Sequence, residues 1–207
     1  MRRMFLYFVV LTVSGLSFVP SSRAQDRSDH KAAATASGAP TAGFRAEFLE
    51  EINYYEQRYA RLAEAMPAEK YIWRPGEGVR SVGEVFTHII SANYGVARAL
   101  GTAFPPGFDS KAITALSADK PKVLQALKDS FVHFRNAVIA LNEADADKPQ
   151  KMFNRPTTLR GSFIAITGHF GEHLGQSIAY ARVNGVVPPW TGEFQQQSQK
   201  PADKPKP

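Results

Sequence analysis

The 207-residue chain has no cysteine. That absence excludes structural disulfides, cysteine–zinc sites and a cysteine nucleophile, so packing or a metal held by other side chains must stabilise the fold. Long apolar runs are scarce as well. One stands at the start, from Met4 to Val19, and nothing after it is apolar enough to cross a bilayer. A clustered basic face is also missing. The formal charge is +6, but Arg2, Arg3 and Arg23 lie in the leader, and Lys200, Lys204 and Lys206 face only Asp203 in the tail. The body of the chain is close to neutral, which argues against a nucleic-acid footprint. Histidine is rare: the chain has His30, His88, His133, His169 and His173.

The start and end of the chain read as non-core segments. Met1-Arg2-Arg3, the apolar run and Ser22-Arg23-Ala24 form a secretory signal pattern, with small residues at the two positions a peptidase inspects. Residues 1–24 are therefore expected to be a signal peptide cleaved after Ala24, with an uncleaved anchor as the rival reading. Cleavage makes the protein periplasmic or extracellular, with no stable membrane insertion. Residues 25–43 are rich in Ala, Ser, Thr, Gly and Asp and read as a disordered linker that carries a solvated His30. From about 194 to 207 the residues are Gln, Ser, Lys and Pro, a disordered tail.

Between these segments, residues 44–193 carry four long periodic stretches. In the first, from Phe44 to Met66, Phe48, Ile52, Tyr55, Tyr59, Leu62 and Met66 recur at alternating spacings of four and three, one buried stripe. A turn follows with Trp73, Pro75 and two glycines, in which Trp73 is expected to cap one end of the core. Ser81-Val82-Gly83-Glu84 is a capping box opening a second helix to about Leu100. On that helix His88 lies at the edge of the apolar face. Residues 101–118 read as a loop. A third helix is expected from Asp119 to Asn142 on the stripe Leu124, Leu127, Phe131, Phe134, Val138 and Leu141. His133 falls outside that stripe and reads as a surface residue and a poor ligand. A polar connection with Pro149 and Pro156 follows, in which Met152-Phe153 forms a short extended piece. The fourth helix runs from Leu159 to Asn184, and Gly185 can take the left-handed stop. Four helices and no convincing strand give an all-α four-helix bundle.

The chemistry concentrates on the fourth helix. Ile166, His169, His173, Gln176 and Tyr180 follow one another by three and four and form one inward stripe. A single buried histidine is usually structural. Two neighbouring imidazoles in an apolar setting are costly unless something binds their lone pairs, and a divalent metal does so. His88, on the inward edge of another helix, is the natural third ligand. Three histidines without an obvious fourth protein ligand leave an open position, the catalytic arrangement in zinc sites, where water has a pKa near ~7. Glu172 and Gln176 stand close enough to support the ligands. Their alternative roles are an exposed helix residue for Glu172 and a helix–helix hydrogen bond for Gln176. The run His169-Phe170-Gly171-Glu172-His173 also fits a metalloprotease pattern with glutamate as base. That reading needs a further acidic ligand downstream, and only Glu193 and Asp203 follow, in a loop and a tail.

Trp73-Arg74-Pro75, Arg80-Ser81-Val82-Gly83-Glu84 leading to His88, His169-x-x-x-His173-Leu174-Gly175-Gln176, Tyr180-Ala181-Arg182 and Gly185-Val186-Val187-Pro188-Pro189 together resemble the DinB-like (YfiT-like) superfamily. The resemblance spans about Phe44 to Thr191. It implies a bundle of up-down-down-up topology with His88, His169 and His173 as a metal triad, and no DNA-polymerase activity. It further implies a metal-dependent thiol S-transferase, isomerase or related enzyme; the imidazole ligands themselves make zinc or nickel the expected ion. Its small-molecule cosubstrate would be a low-molecular-weight thiol such as bacillithiol, mycothiol or glutathione. A hydrolase using water in the open position is the close variant. The other classes are a non-enzymatic metal-binding or stress-related bundle in which the ion is structural or sequestered, and a bundle whose triad is vestigial and empty. Bundles of this kind often pair through an outer helix face, so a homodimer is compatible with the pattern.

Overall fold

The computed structural model describes residues 38–191. The expected signal peptide, His30 and the tail from 194 lie outside them. Five α-helices and one small hairpin make up the described part: α1 (Phe44–Ala65), α2 (Val82–Ala99), α3 (Ser110–Ala115), α4 (Lys120–Ile139), β1 (Pro149–Met152), β2 (Arg155–Thr158) and α5 (Leu159–Val183). Short 3₁₀ turns at Ala68–Lys70, Leu116–Ala118 and Glu143–Asp145 join them. No helix among the described residues is long and apolar enough to cross a membrane.

The four long helices form an all-α bundle in which α1 packs against α4 and α5, and α2 packs against the same two. Helices α1 and α2 therefore sit diagonally, and consecutive helices are not all neighbours as they are in a simple up-and-down bundle. The core follows the stripes read from the sequence. Ile52, Tyr59 and Leu62 of α1, Phe86, Ile89 and Ile90 of α2, Phe131 and Phe134 of α4, and Phe170 of α5 are all buried. Phe48 stacks on Phe163 at 3.9 Å between ring centroids, which fastens the start of α1 to α5.

Helices α2, α4 and α5 start at a residue whose side chain accepts from an orphan amide, whereas α1 starts at Gly43 and its Phe44 amide donates to Glu143 Oε1 at 2.6 Å. Ser81 accepts from the Glu84 amide while the Glu84 carboxylate accepts from the Ser81 amide, completing the capping box. That bond from the Ser81 amide holds the Glu84 carboxyl below the usual carboxylate range. Asp119 caps α4 and Thr158 caps α5. The preceding turn docks on the start of α2, because the Val82 and Gly83 amides donate to the carbonyls of Trp73 and Tyr71. At the other end of α5, Gly185 takes the left-handed conformation at φ 77°.

Three expectations need correction. The stretch 101–118 is not all loop, because Asp109 caps the short helix α3, whose Ile113 packs on the core beside Leu116. The polar connection is not strandless: β1 and β2 pair antiparallel from Pro149↔Thr158 to Met152↔Arg155. Among its eight residues only Met152 is buried in the core, so the alternation that announces a strand is absent. Finally, His133 is half-buried, with its Nε2 enclosed and unpaired and its ring 5.1 Å from that of Tyr94. The stripe of α4 alone put it outside; Tyr94 of α2 covers it.

Candidate metal site

His88 sits in the second turn of α2, and His169 and His173 lie one turn apart in the middle of α5. Packing of α2 against α5 brings the three half-buried side chains together. One ring nitrogen from each falls within 4.8 Å of the others. The ring centroids are 5.2 Å apart for His88–His169, 4.5 Å for His88–His173 and 4.7 Å for His169–His173. His88 Nε2 and His169 Nε2 stand 3.1 Å apart. Metal–nitrogen bonds of ~2.0–2.1 Å in tetrahedral geometry imply an N···N edge of about 3.3–3.4 Å, close to this separation. Neither His133 nor any other His, Asp or Glu among the described residues joins the group.

The electrostatics suit neutral ligands. Burial pushes the His88 imidazole down to about 4, with the charges of Arg80 and the two other histidines acting the same way. His169 is also pushed down to about 4, by burial first and then by His173, with Glu172 opposing and Arg80 assisting. Both rings therefore keep lone pairs at neutral pH, as metal ligation requires. At His173 the tautomer is set by a neighbour. Its Nδ1–H donates to Gln176 Oε1 at 2.9 Å, which leaves Nε2 as the lone-pair nitrogen. Gln176 Nε2 then donates to Tyr180 Oη at 2.9 Å. Tyr180 meets Trp73 edge-to-face at 5.4 Å, so the chain of contacts ends on the turn that feeds α2.

Other elements hold this stretch of α5 in place. Tyr59 of α1 donates from its hydroxyl to the Phe170 carbonyl at 2.7 Å, between the two histidines. Phe153, at the tip of the β1–β2 hairpin, lies 5.2 Å from the His169 ring. The donor set thus fits a divalent ion: three imidazoles converge, one is oriented by an amide, and no fourth protein ligand closes the set among the described residues.

Of the residues singled out in sequence, the structure brings His88, His169, His173 and Gln176 together. Glu172 is exposed, and its charge opposes the lowering at His169. The hydrogen bonds of Gln176 stay within α5 rather than crossing to another helix. Phe153, beside the His169 ring, and Arg80, whose charge acts on His88 and His169, carry no signal in the sequence that places them near the site. A separate cavity of about 980 Å³ lies between α1 and α4, lined by Glu56, Leu127, Phe131 and Arg135 among others, and none of the three histidines lines it.

The four-helix bundle that carries this half-buried histidine cluster is an architecture shared with known proteins. The DinB superfamily matches residues 52–177, a span that includes all three histidines and Gln176, and the chain belongs to that family. A DinB-like protein from Bacillus cereus has a similar crystal structure, with a TM-score of 0.59 and 17% identity over 69% of this chain and 93% of that one. A DinB-like protein from Bacillus subtilis aligns with a TM-score of 0.45 and 17% identity over 68% of this chain and 94% of that one. No curated protein sequence matches the chain.

Proposed function

We propose that the chain is an exported, divalent-metal-dependent enzyme of the DinB superfamily, a thiol S-transferase or a closely related hydrolase. The observation that carries this reading is the convergence of three histidine nitrogens within 4.8 Å with no further protein ligand beside them among the described residues. A purely structural ion is normally enclosed by four protein ligands, whereas catalytic sites keep a position open.

His88, His169 and His173 would hold the ion, with zinc or nickel the expected metal. When bound, such an ion supplies Lewis acidity that makes a thiol or a water molecule nucleophilic near neutral pH. The remaining chemistry falls to this chain's own side chains. Gln176 fixes the His173 ring so that Nε2 faces the other ligands. Arg80 adds positive potential felt at His88 and His169, which favours an anionic ligand over a cationic one. In an S-transfer, the new S–C bond forms as the carbon loses its bond to a leaving group, and the thiol proton passes to solvent.

The test is a conjugation assay. Mature protein loaded with zinc or nickel is incubated with glutathione, bacillithiol or mycothiol and 1-chloro-2,4-dinitrobenzene, and product is followed by absorbance. At least one thiol should be consumed faster with wild type than with His169→Ala. Equal rates for both proteins with every thiol would contradict the transferase reading, and a parallel ester-hydrolysis assay would then decide the hydrolase variant.

A further inference from the structure

The β1–β2 hairpin closes through two residues only, Phe153 and Asn154, between the paired ends Met152 and Arg155. Both have positive φ, 48° and 63°. Two-residue hairpin turns of this kind favour Asn and Gly, because a side chain in the left-handed region meets its own backbone. Asn154 suits that requirement and Phe153 does not. A bulky aromatic is among the least comfortable residues there. Nor does burial compensate, since 44% of Phe153 is exposed. Local folding alone therefore favours a different residue at position 153.

The location of the ring supplies a reason. Met152, 3% exposed, anchors the hairpin in the core, and β1 and β2 both pack on α5. The Leu159 and Arg160 amides donate to the carbonyls of Lys148 and Ala146, which closes the base of the hairpin. The tip is thus carried on a fixed base, and it sets the Phe153 ring 5.2 Å from the His169 ring at an interplanar angle of 31°. Strain at a tight turn beside a candidate site is the pattern expected where backbone comfort is exchanged for a positioned group. Phe153 is thus both near His169 and exposed, so a ligand can reach it from solvent.

We propose that Phe153 forms the wall of a substrate subsite beside the three histidines and selects ligands whose metal-binding group carries an aromatic or other apolar arm. The inference rests on the metal-site reading above and adds a specificity to it. The ligand class is an apolar thiol or related anion: its head sits at the histidines and its arm lies against the Phe153 ring.

The experiment uses cobalt-loaded chain titrated with benzyl mercaptan and with 2-mercaptoethanol, thiolate binding being read from its near-ultraviolet charge-transfer absorption. Phe153→Asn should lower the preference for benzyl mercaptan over 2-mercaptoethanol by about three- to tenfold, the scale of one aromatic contact. Phe153→Tyr should keep it. Cobalt stoichiometry should be the same in all three proteins, and Phe153→Asn should unfold at the same or a higher temperature, because Asn suits the left-handed turn. An unchanged thiol preference would overturn the inference while leaving the metal site standing. Equal weakening of both thiols with a lower unfolding temperature would also overturn it, by making Phe153 a structural residue. Wild-type protein that takes up no cobalt would overturn both this inference and the reading it rests on.

Discussion

His88 Nε2 and His169 Nε2 stand 3.1 Å apart although the two residues are separated by 81 positions in the chain. One comes from the second turn of α2 and the other from the middle of α5, and burial keeps both rings neutral. Two neutral imidazoles in such contact can share only one proton between them. A cation between the rings and His173 satisfies all three lone pairs at once, and this is the physical core of the account.

The orienting role of Gln176 can be tested separately from folding. Gln176→Ala removes the acceptor that fixes the His173 tautomer. Loss of such an outer-shell partner typically lowers metal affinity by about 10–100-fold. Competition with a chromophoric chelator measures it, and circular dichroism should show unchanged helix content. Undiminished affinity would mean that His173 needs no orientation.

The metal-free protein should lose stability as pH falls through the range in which free histidine gains its proton. His88 and His169 are held at about 4 in the fold against an ordinary value of 6.5. The unfolded chain binds those two protons below about pH 6.5 and the folded chain does not until about 4, so unfolding is favoured progressively as pH falls across that window. Above it the two groups contribute nothing to the pH dependence. Thermal midpoints from pH 7.5 to 4 should therefore fall less steeply for the His88→Gln/His169→Gln double variant than for wild type. Parallel profiles would contradict this.

Gly83 is expected to resist substitution for a reason of space. A Cβ built on it would lie 1.8 Å from the Ser117 carbonyl oxygen, a backbone atom that cannot swing aside. Gly83→Ala should destabilise the protein by about 1–3 kcal/mol, the usual cost of overpacking, as read from urea unfolding. Gly95→Ala, where nothing lies within 4 Å, should be neutral or stabilising because it sits within α2. Equal effects at the two positions would contradict the close approach of the Leu116–Ala118 turn to α2.

The proposed export is tested by where the full chain goes and where it is cut. When expressed in a Gram-negative host, the full chain should be recovered from the periplasm with Gln25 as its first residue, as read by mass spectrometry of the intact protein. A product that retains Met1 and sediments with membranes would favour the anchor instead.

The triad and the helices were legible for one physical reason: helical periodicity places side chains by spacing alone. Ile166, His169, His173 and Tyr180 fall on one line in sequence, and the structure shows Ile166 and Tyr180 buried with the two histidines beside them. Residues whose setting depends on a second element were not legible. His133 reads as exposed because its own helix turns it off the apolar stripe, whereas Tyr94 from α2 packs against its ring. Phe153 was read as an extended piece because its hairpin has no Gly in the turn and buries only Met152 in its strands. Its approach to His169 is a tertiary event with no local signature.

Metal stoichiometry tests the central claim most directly. Purified mature protein, incubated with zinc or nickel and freed of excess, should carry close to one ion per chain by elemental analysis. His169→Ala should carry none, and His133→Ala should match wild type. Wild-type protein that stays metal-free under these conditions, or equal loss of metal from His169→Ala and His133→Ala, would contradict the assignment of His88, His169 and His173 as a metal site.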